Sequence, residues 1–309
     1  MNIINVIKNG KTIMNQATIK SDLFVEFDDE MRRKFQMVLL KMYIDVKKVC
    51  DKYNLTLFVI GGTALGAIRH NGFIPWDDDL DLSLTRKDYE IFKSVFIKEL
   101  SPDYILNAPN YSEQPKNRFP RILKKDSYYR DIVDSKDEDL HHIYLDLFIL
   151  ENTPDNLISR AIKGRVSDTI GLISRTVFIW ENKTPELKAF YMSAGALNYY
   201  MRMTVGFCFS FLPSRMWFNL AEKALQYNNE NTSCCCIASG RKRYFGEIMK
   251  REVFLPGVEK QFEGEKVLVF SDYDYYLRNL YGDYMRIPPE GERERHSTCI
   301  FSFNGISRE

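Results

Sequence analysis

The sequence predicts an α+β fold: a small mixed sheet flanked by helices and interrupted by a mainly helical subdomain. Three observations predict it. Short apolar strands alternate with amphipathic helices through the first half, a long stretch with few turn signals follows, and strand-like segments return towards the end. The expected organisation is a leader over 1–25, a catalytic core over 26–155, a helical subdomain over 156–240, and a C-terminal segment over 241–309 that packs on the core.

Between Asp28 and Tyr53 the apolar residues Met31, Phe35, Val38, Leu39, Met42, Val46 and Val49 recur at helical spacing, with Lys and Asp opposite. Leu55–Ile60 reads as a short buried strand that Gly61-Gly62 ends abruptly. Thr63–His70 suits a helix, and Asn71-Gly72 with Pro75 makes a turn. Asp79–Leu84 alternates strictly, so it predicts a strand with one leucine face and one carboxylate face. Thr85 with Asp88 resembles a capping box and opens a helix to Leu100. Phe119–Tyr129 and His142–Leu150 are further strand candidates, and Glu151–Asp155 breaks the chain. Residues 156–227 read as helical with an excess of base over acid, Val253–Phe270 as a hairpin about Glu263-Gly264, and Asp272–Tyr281 as a last helix.

Charged residues at 28% and hydrophobic residues at 45% are ordinary for a globular chain of 309 residues. A net charge of +1 gives no whole-molecule field for nucleic acid, so no nucleic-acid partner is expected. The six cysteines form no CxxC pair and no zinc spacing, and they read as reduced thiols of a cytoplasmic protein. Met1–Lys20 lacks the apolar core of a signal peptide, and Asn198 and Arg202 interrupt the best spanning candidate, Met192–Pro213.

Three features carry chemistry. A strand that ends in Gly61-Gly62 and runs into a helix from Thr63 offers backbone N–H groups to phosphate, although a glycine pair after a strand is more often a plain turn. Asp79 and Asp81, two apart on a strand, project to one side and repel unless a divalent cation neutralises them; oxygen-only ligands favour Mg²⁺ or Mn²⁺. A calcium loop starting at Asp77 is excluded because Leu82 stands where glycine is required. Asp146 lies inside the apolar run Tyr144–Leu150, which suits either a third metal ligand or a structural carboxylate paired with a core arginine. Together these are the parts of a phosphoryl- or nucleotidyl-transfer site. Arg69 suits a phosphate clamp, with pairing to an aspartate as its alternative; Arg121 and Lys124 are weaker candidates. His296 suits a second proton-handling or substrate group, against a structural role.

The run Gly61–Asp81, with Phe73-Ile74-Pro75-Trp76-Asp77 inside it, resembles the signature of the LicD family of phosphorylcholine transferases, related to the fukutin group. Tyr144–Phe148, and Leu277–Met285 with Pro288-Pro289, Arg293 and His296, resemble its later blocks. The resemblance implies a nucleotidyltransferase-type fold and metal-dependent transfer of phosphocholine from CDP-choline to a hydroxyl of a cell-surface glycan or its lipid-linked precursor. It implies that Asp79, Asp81 and Asp146 bind the metal, and that Gly61, Gly62 and Thr63 cradle donor phosphate. Transfer of ribitol or glycerol phosphate from a CDP donor, NMP transfer from an NTP, and a non-catalytic binding module are the competing readings. The basic helical stretch around Val205–Phe209 suits peripheral contact with the inner face of a membrane.

Overall fold

The structure is a computed structural model that describes residues 27–131, 134, 136, 138–193, 195–293, 298–303 and 306–308. The expected leader and His296 lie outside the described residues.

Helix α1 (Asp29–Lys52) starts where Asp28 Oδ1 accepts the Met31 N–H at 2.8 Å, and it buries the predicted stripe from Phe35 to Val49, with Cys50 added and Met31 only partly covered. Strand β1 (Phe58–Val59) is only two residues long and runs directly into α2 (Gly61–His70). The helix therefore begins two residues before Thr63, because Gly61 adopts the φ of +56° that the abrupt change of direction needs. Strand β2 (Asp81–Thr85) leads into α3 (Arg86–Glu99), capped by Thr85 Oγ1.

Strand β3 (Tyr104–Asn107) was not expected. The Phe119–Tyr129 region divides at a turn into β4 (Arg121–Lys124) and β5 (Tyr128–Asp131), with Asp126 at positive φ between them. Strand β6 (Tyr144–Asn152) continues through Glu151 and Asn152, where a break was expected. Its extension has a partner: β7 (Cys234–Cys236) pairs with residues 151 and 152, and β8 (Ile248–Lys250) pairs with β7. The cysteine triplet is thus a strand, with Cys235 and Cys236 buried.

Between β6 and β7 stand four helices: α4 (Leu157–Glu181), α5 (Pro185–Ser193), α6 (Ala196–Phe209) and α7 (Ser214–Leu225). They bury small cores of their own, such as Ile173, Val177 and Trp217. After β7 come short helix α8 (Arg243–Gly246), β8, and short helix α9 (Arg251–Phe254). The hairpin β9 (Val258–Phe262) and β10 (Glu265–Val269) turns at Glu263-Gly264 as predicted, and α10 (Tyr273–Tyr281) is capped by Asp272. Strands β11 (Thr298–Phe303) and β12 (Ile306–Arg308) form a separate small sheet with β5.

The main sheet has the order β3-β4-β6-β2-β1-β10-β9. Strand β2 runs parallel to β6 and β1 parallel to β10, while the remaining pairs on this path are antiparallel. This is the mixed, helix-flanked α+β sheet that the sequence predicts. Its leucine face, including Leu82, Leu84, Leu145 and Leu147, is buried in one core with α1 and α3.

Candidate active site

The register places the carboxylates. Asp81 is the partner of Asp146 in the parallel pair β2–β6, and Asp146 is the partner of Arg121 in the antiparallel pair β4–β6. Directly opposed residues project to the same face, so Asp81, Asp146 and Arg121 form a row across three strands. Asp79 precedes β2 by two residues.

The start of α2 closes on this row. A Cβ on Gly61 would lie 2.9 Å from Asp81 Oδ2, and one on Gly62 would lie 2.9 Å from Asp77 Oδ2 and 3.9 Å from Asp79 Oδ1. Only glycine lets the first turn of the helix approach three carboxylates so closely. Thr63 locks the arrangement, since its Oγ1 accepts the Asp81 N–H at 2.8 Å, and Ile60 N donates to Asp81 O at 3.1 Å. Gly61, Gly62, Thr63, Asp79 and Asp81 are therefore brought together, and Asp77, which the sequence offered only in the excluded calcium loop, joins them.

Asp146 is held differently. Its Oδ1 accepts from Arg121 Nε at 2.7 Å, and the guanidinium lies 3.8 Å above the Tyr144 ring and 6.0 Å from that of Phe119. Burial opposes the Arg121 charge, but Asp146 and then Tyr144 outweigh it and raise its pKa above the ordinary value. The arginine partner weighed for Asp146 in the sequence is thus present, on the same row as the proposed metal pair. Among the described residues, no group of three or more His, Cys, Asp or Glu side chains is drawn together as a metal cage. The donor set beside the glycine turn is nonetheless all oxygen, and the turn itself is free of Cβ atoms. Asp77, Asp79 and Asp81 fit a hard divalent cation on that chemistry.

The other predicted residues fall around this centre. Arg69 is spent on the C-terminal segment: Nη1 donates to Tyr284 O at 2.7 Å and to Arg286 O at 3.3 Å, and Nε to His70 Nε2 at 3.0 Å. Burial lowers its pKa, with Asp77 and Tyr281 acting against that shift. Lys124 is three residues along β4 from Arg121, an odd step that sends it to the opposite sheet face, where it lies 5.8 Å from the Tyr104 ring.

Helix α10 supplies residues that the sequence did not single out. Tyr276 Oη accepts the Gly61 N–H at 3.4 Å, and Tyr281 Oη would lie 3.7 Å from a Gly61 Cβ. Burial pushes the Tyr281 hydroxyl well above its ordinary pKa, and Asp81, then Asp77 and Asp79, push the same way against Arg241. The exposed Arg241 lies 5.0 Å from the Tyr281 ring. The helical pattern of α10 was legible, but its packing against the glycine turn is a long-range contact that no local pattern reports. Ser83 Oγ, two residues beyond Asp81 on the same face, is buried without a hydrogen-bond partner.

A mixed sheet with carboxylates on adjoining strands beside a strand–Gly-Gly–helix turn defines a nucleotidyltransferase-type site. Residues 54–163 match the LicD/FKTN/FKRP nucleotidyltransferase domain model. The chain is similar to the lipopolysaccharide cholinephosphotransferase LicD of Haemophilus influenzae, with 27% identity over 274 residues, 85% of this chain and 95% of that protein. It is also similar to uncharacterized proteins of Rickettsia prowazekii (29% identity, 26% of this chain and 31% of that protein) and Rickettsia typhi (36% identity, 20% of each). The similarity to the LicD family thus covers residues 54–163 by the domain model, and most of the chain by the Haemophilus protein.

Proposed function

We propose that this chain is a phosphotransferase that moves phosphocholine from CDP-choline to a hydroxyl of a lipopolysaccharide-type glycan or its lipid-linked precursor. The observation that carries the reading is the Gly61-Gly62 turn seated against the carboxylates of Asp77, Asp79 and Asp81, with Asp146 in register beside them. The similarity to a cholinephosphotransferase along most of both chains supports the transferred group.

Asp79 and Asp81, with Asp77, would hold Mg²⁺ or Mn²⁺, which supplies neutralisation of donor phosphate charge when bound. The N–H groups at the start of α2 bind the donor diphosphate. Asp146, oriented by Arg121, takes the proton of the acceptor hydroxyl. The hydroxyl oxygen bonds to the phosphorus that bears choline, the bond to the other phosphate breaks, and CMP leaves. Arg241, beside Tyr281, would meet the developing charge, and Arg69, which donates to backbone carbonyls, would steady the C-terminal segment.

Incubation with lipopolysaccharide and radiolabelled CDP-choline, against radiolabelled ATP, tests the reading. Choline label in the glycan supports it, and adenylate transfer without choline transfer overturns it. CDP-ribitol and CDP-glycerol in the same assay separate phosphocholine from the other phospho-alcohols.

A membrane-resident acceptor accords with the surface of the helical insertion. Leu197, Tyr200 and Phe207 share one exposed face of α6, and exposed Phe211 follows it. Among the described residues no helix is long and apolar enough to cross a membrane. Cosedimentation with anionic vesicles, reduced by Phe207→Asp with Phe211→Asp, is the expected sign of peripheral contact at the cytoplasmic face.

A further inference from the structure

Arg118 is unusual for a guanidinium recessed in a fold. It lines a small cavity with Arg86, Phe119, Glu151, Glu222 and Ser239, yet it makes no ion pair among the described residues. Its one hydrogen bond, Nη2 to Ser239 O, is long at 3.4 Å. The two glutamates on the far wall are both taken by Arg86. Helix α4 passes so close that a Cβ on Gly171 would lie 2.7 Å from Arg118 Nη1.

Arg175 stands one turn further along α4 than Gly171, on the same helix face. It too makes no ion pair among the described residues, and its guanidinium lies 5.5 Å from the Phe178 ring. Burial above all, with Arg243 and Arg175 acting the same way against Asp168 and Glu247, brings the Arg118 pKa down to about 10. Two guanidiniums set close together with no ion pair among the described residues, as Arg118 and Arg175 are, are costly to fold, and an anion removes that cost. A planar guanidinium fork matches phosphate oxygens in particular.

The Arg118–Phe119 side of the recess is tied to the reaction centre. Arg118 is three residues from Arg121, so their Cα atoms are at most ~10 Å apart. Phe119 stacks on Phe148 at 4.7 Å between ring centres, and Phe148 follows Asp146 by two residues on the same sheet face.

We infer that Arg118 and Arg175 form a subsite for a phosphate group of the substrate, distinct from the donor-phosphate cradle at Gly61-Gly62. The carrier of that phosphate, acceptor glycan or CDP donor, rests on the transfer reaction proposed above.

Titration calorimetry with inorganic pyrophosphate, in chelator and without divalent cation, tests the subsite. The expected result is saturable binding that Arg118→Gln and Arg175→Gln each weaken at least tenfold and that Asp79→Asn with Asp81→Asn leaves intact. Absence of binding to the wild-type chain, or equal binding by both folded arginine variants, overturns the inference. Thermal melts identify a variant that fails to fold, and the other arginine then carries the test. Kinetics identify the carrier. A KM raised for native but not dephosphorylated lipopolysaccharide assigns the acceptor; a KM raised for CDP-choline assigns the donor; no change in either overturns the inference. Failure of all choline transfer refutes the proposed function, while pyrophosphate binding still reads the subsite.

Discussion

Asp146 and Arg121 face each other across the β4–β6 pair, joined at 2.7 Å and flanked by the Tyr144 and Phe119 rings. The arginine fixes the carboxylate beside Asp81 instead of leaving it to swing. Arg121→Gln should therefore lower kcat by ~10²-fold, the typical effect of losing positioning near the reacting atoms. Arg121→Lys should recover part of it by keeping the charge without the planar fork. Steady-state rates with CDP-choline check this; unchanged kcat in both variants would show that Asp146 needs no such support.

Gly62→Ala separates stability from activity. Replacing a helical glycine with alanine ordinarily stabilises by roughly 0.5–1 kcal/mol. Here the new methyl would lie 2.9 Å from Asp77 Oδ2 and disturb the carboxylates. The expected variant melts within a few degrees of wild type but loses at least ~10-fold in turnover. Calorimetry and the transfer assay on one preparation measure both.

Arg86 joins Glu151 at the end of β6 to Glu222 on α7, at 2.6 Å for the latter, and all three are buried. Removing the cation leaves two buried carboxylates facing each other. Arg86→Met should cost about 3–5 kcal/mol, as breaking buried pairs does. Urea unfolding should show the midpoint falling accordingly.

Glu247 is buried, and burial raises its pKa to about 7 from an ordinary 4.5, although it accepts the Lys242 N–H at 2.7 Å. The folded state thus holds this proton more tightly than the unfolded chain. Its contribution is fully present below pH 4.5 and is lost as pH rises through about 7. Glu247→Gln should remove a decline of up to ~3 kcal/mol across that window, at about 1.4 kcal/mol per unit. The difference between wild-type and variant unfolding curves at pH 5 and pH 8 measures it.

The thiols should divide by burial. Cys208 is exposed, while Cys50, Cys235 and Cys236 are buried, and burial raises each of these three thiols above the ordinary range. Cys208 should label first under native conditions, and the buried three only on unfolding. Mass spectrometry after timed alkylation resolves the order.

Much of the centre is local in the chain and so was legible. The Gly61–Asp81 run contains the turn, the helix and the strand that bears Asp81, and strict alternation placed its leucines inside. What escaped depends on distant pairing. Cys234–Cys236 is a strand only because β6 overruns to meet it, into the Glu151–Asp155 segment where the sequence predicts a break, and Glu151 is buried there. Its buried partner Arg86 lies sixty-five residues earlier. Tyr276 and Tyr281 likewise reach Gly61 from over two hundred residues away. Arg69 looked like a phosphate ligand from its spacing, and only the folded C-terminal carbonyls reveal its other employment.

Strand β6 carries Asp146 near its start and Glu151 near its end. A chain of five steps at strand rise spans ~17 Å, and it behaves as a stiff rod inside the sheet. One end belongs to the candidate site, and the other is bolted to the helical insertion through Arg86 and Glu222. The insertion can therefore be exchanged or reshaped for a new acceptor while its mooring keeps a fixed bearing on the reacting atoms. A swap of helices α4 to α7 between relatives would be a route to altered acceptor choice if Arg86, Glu151 and Glu222 travel as a unit.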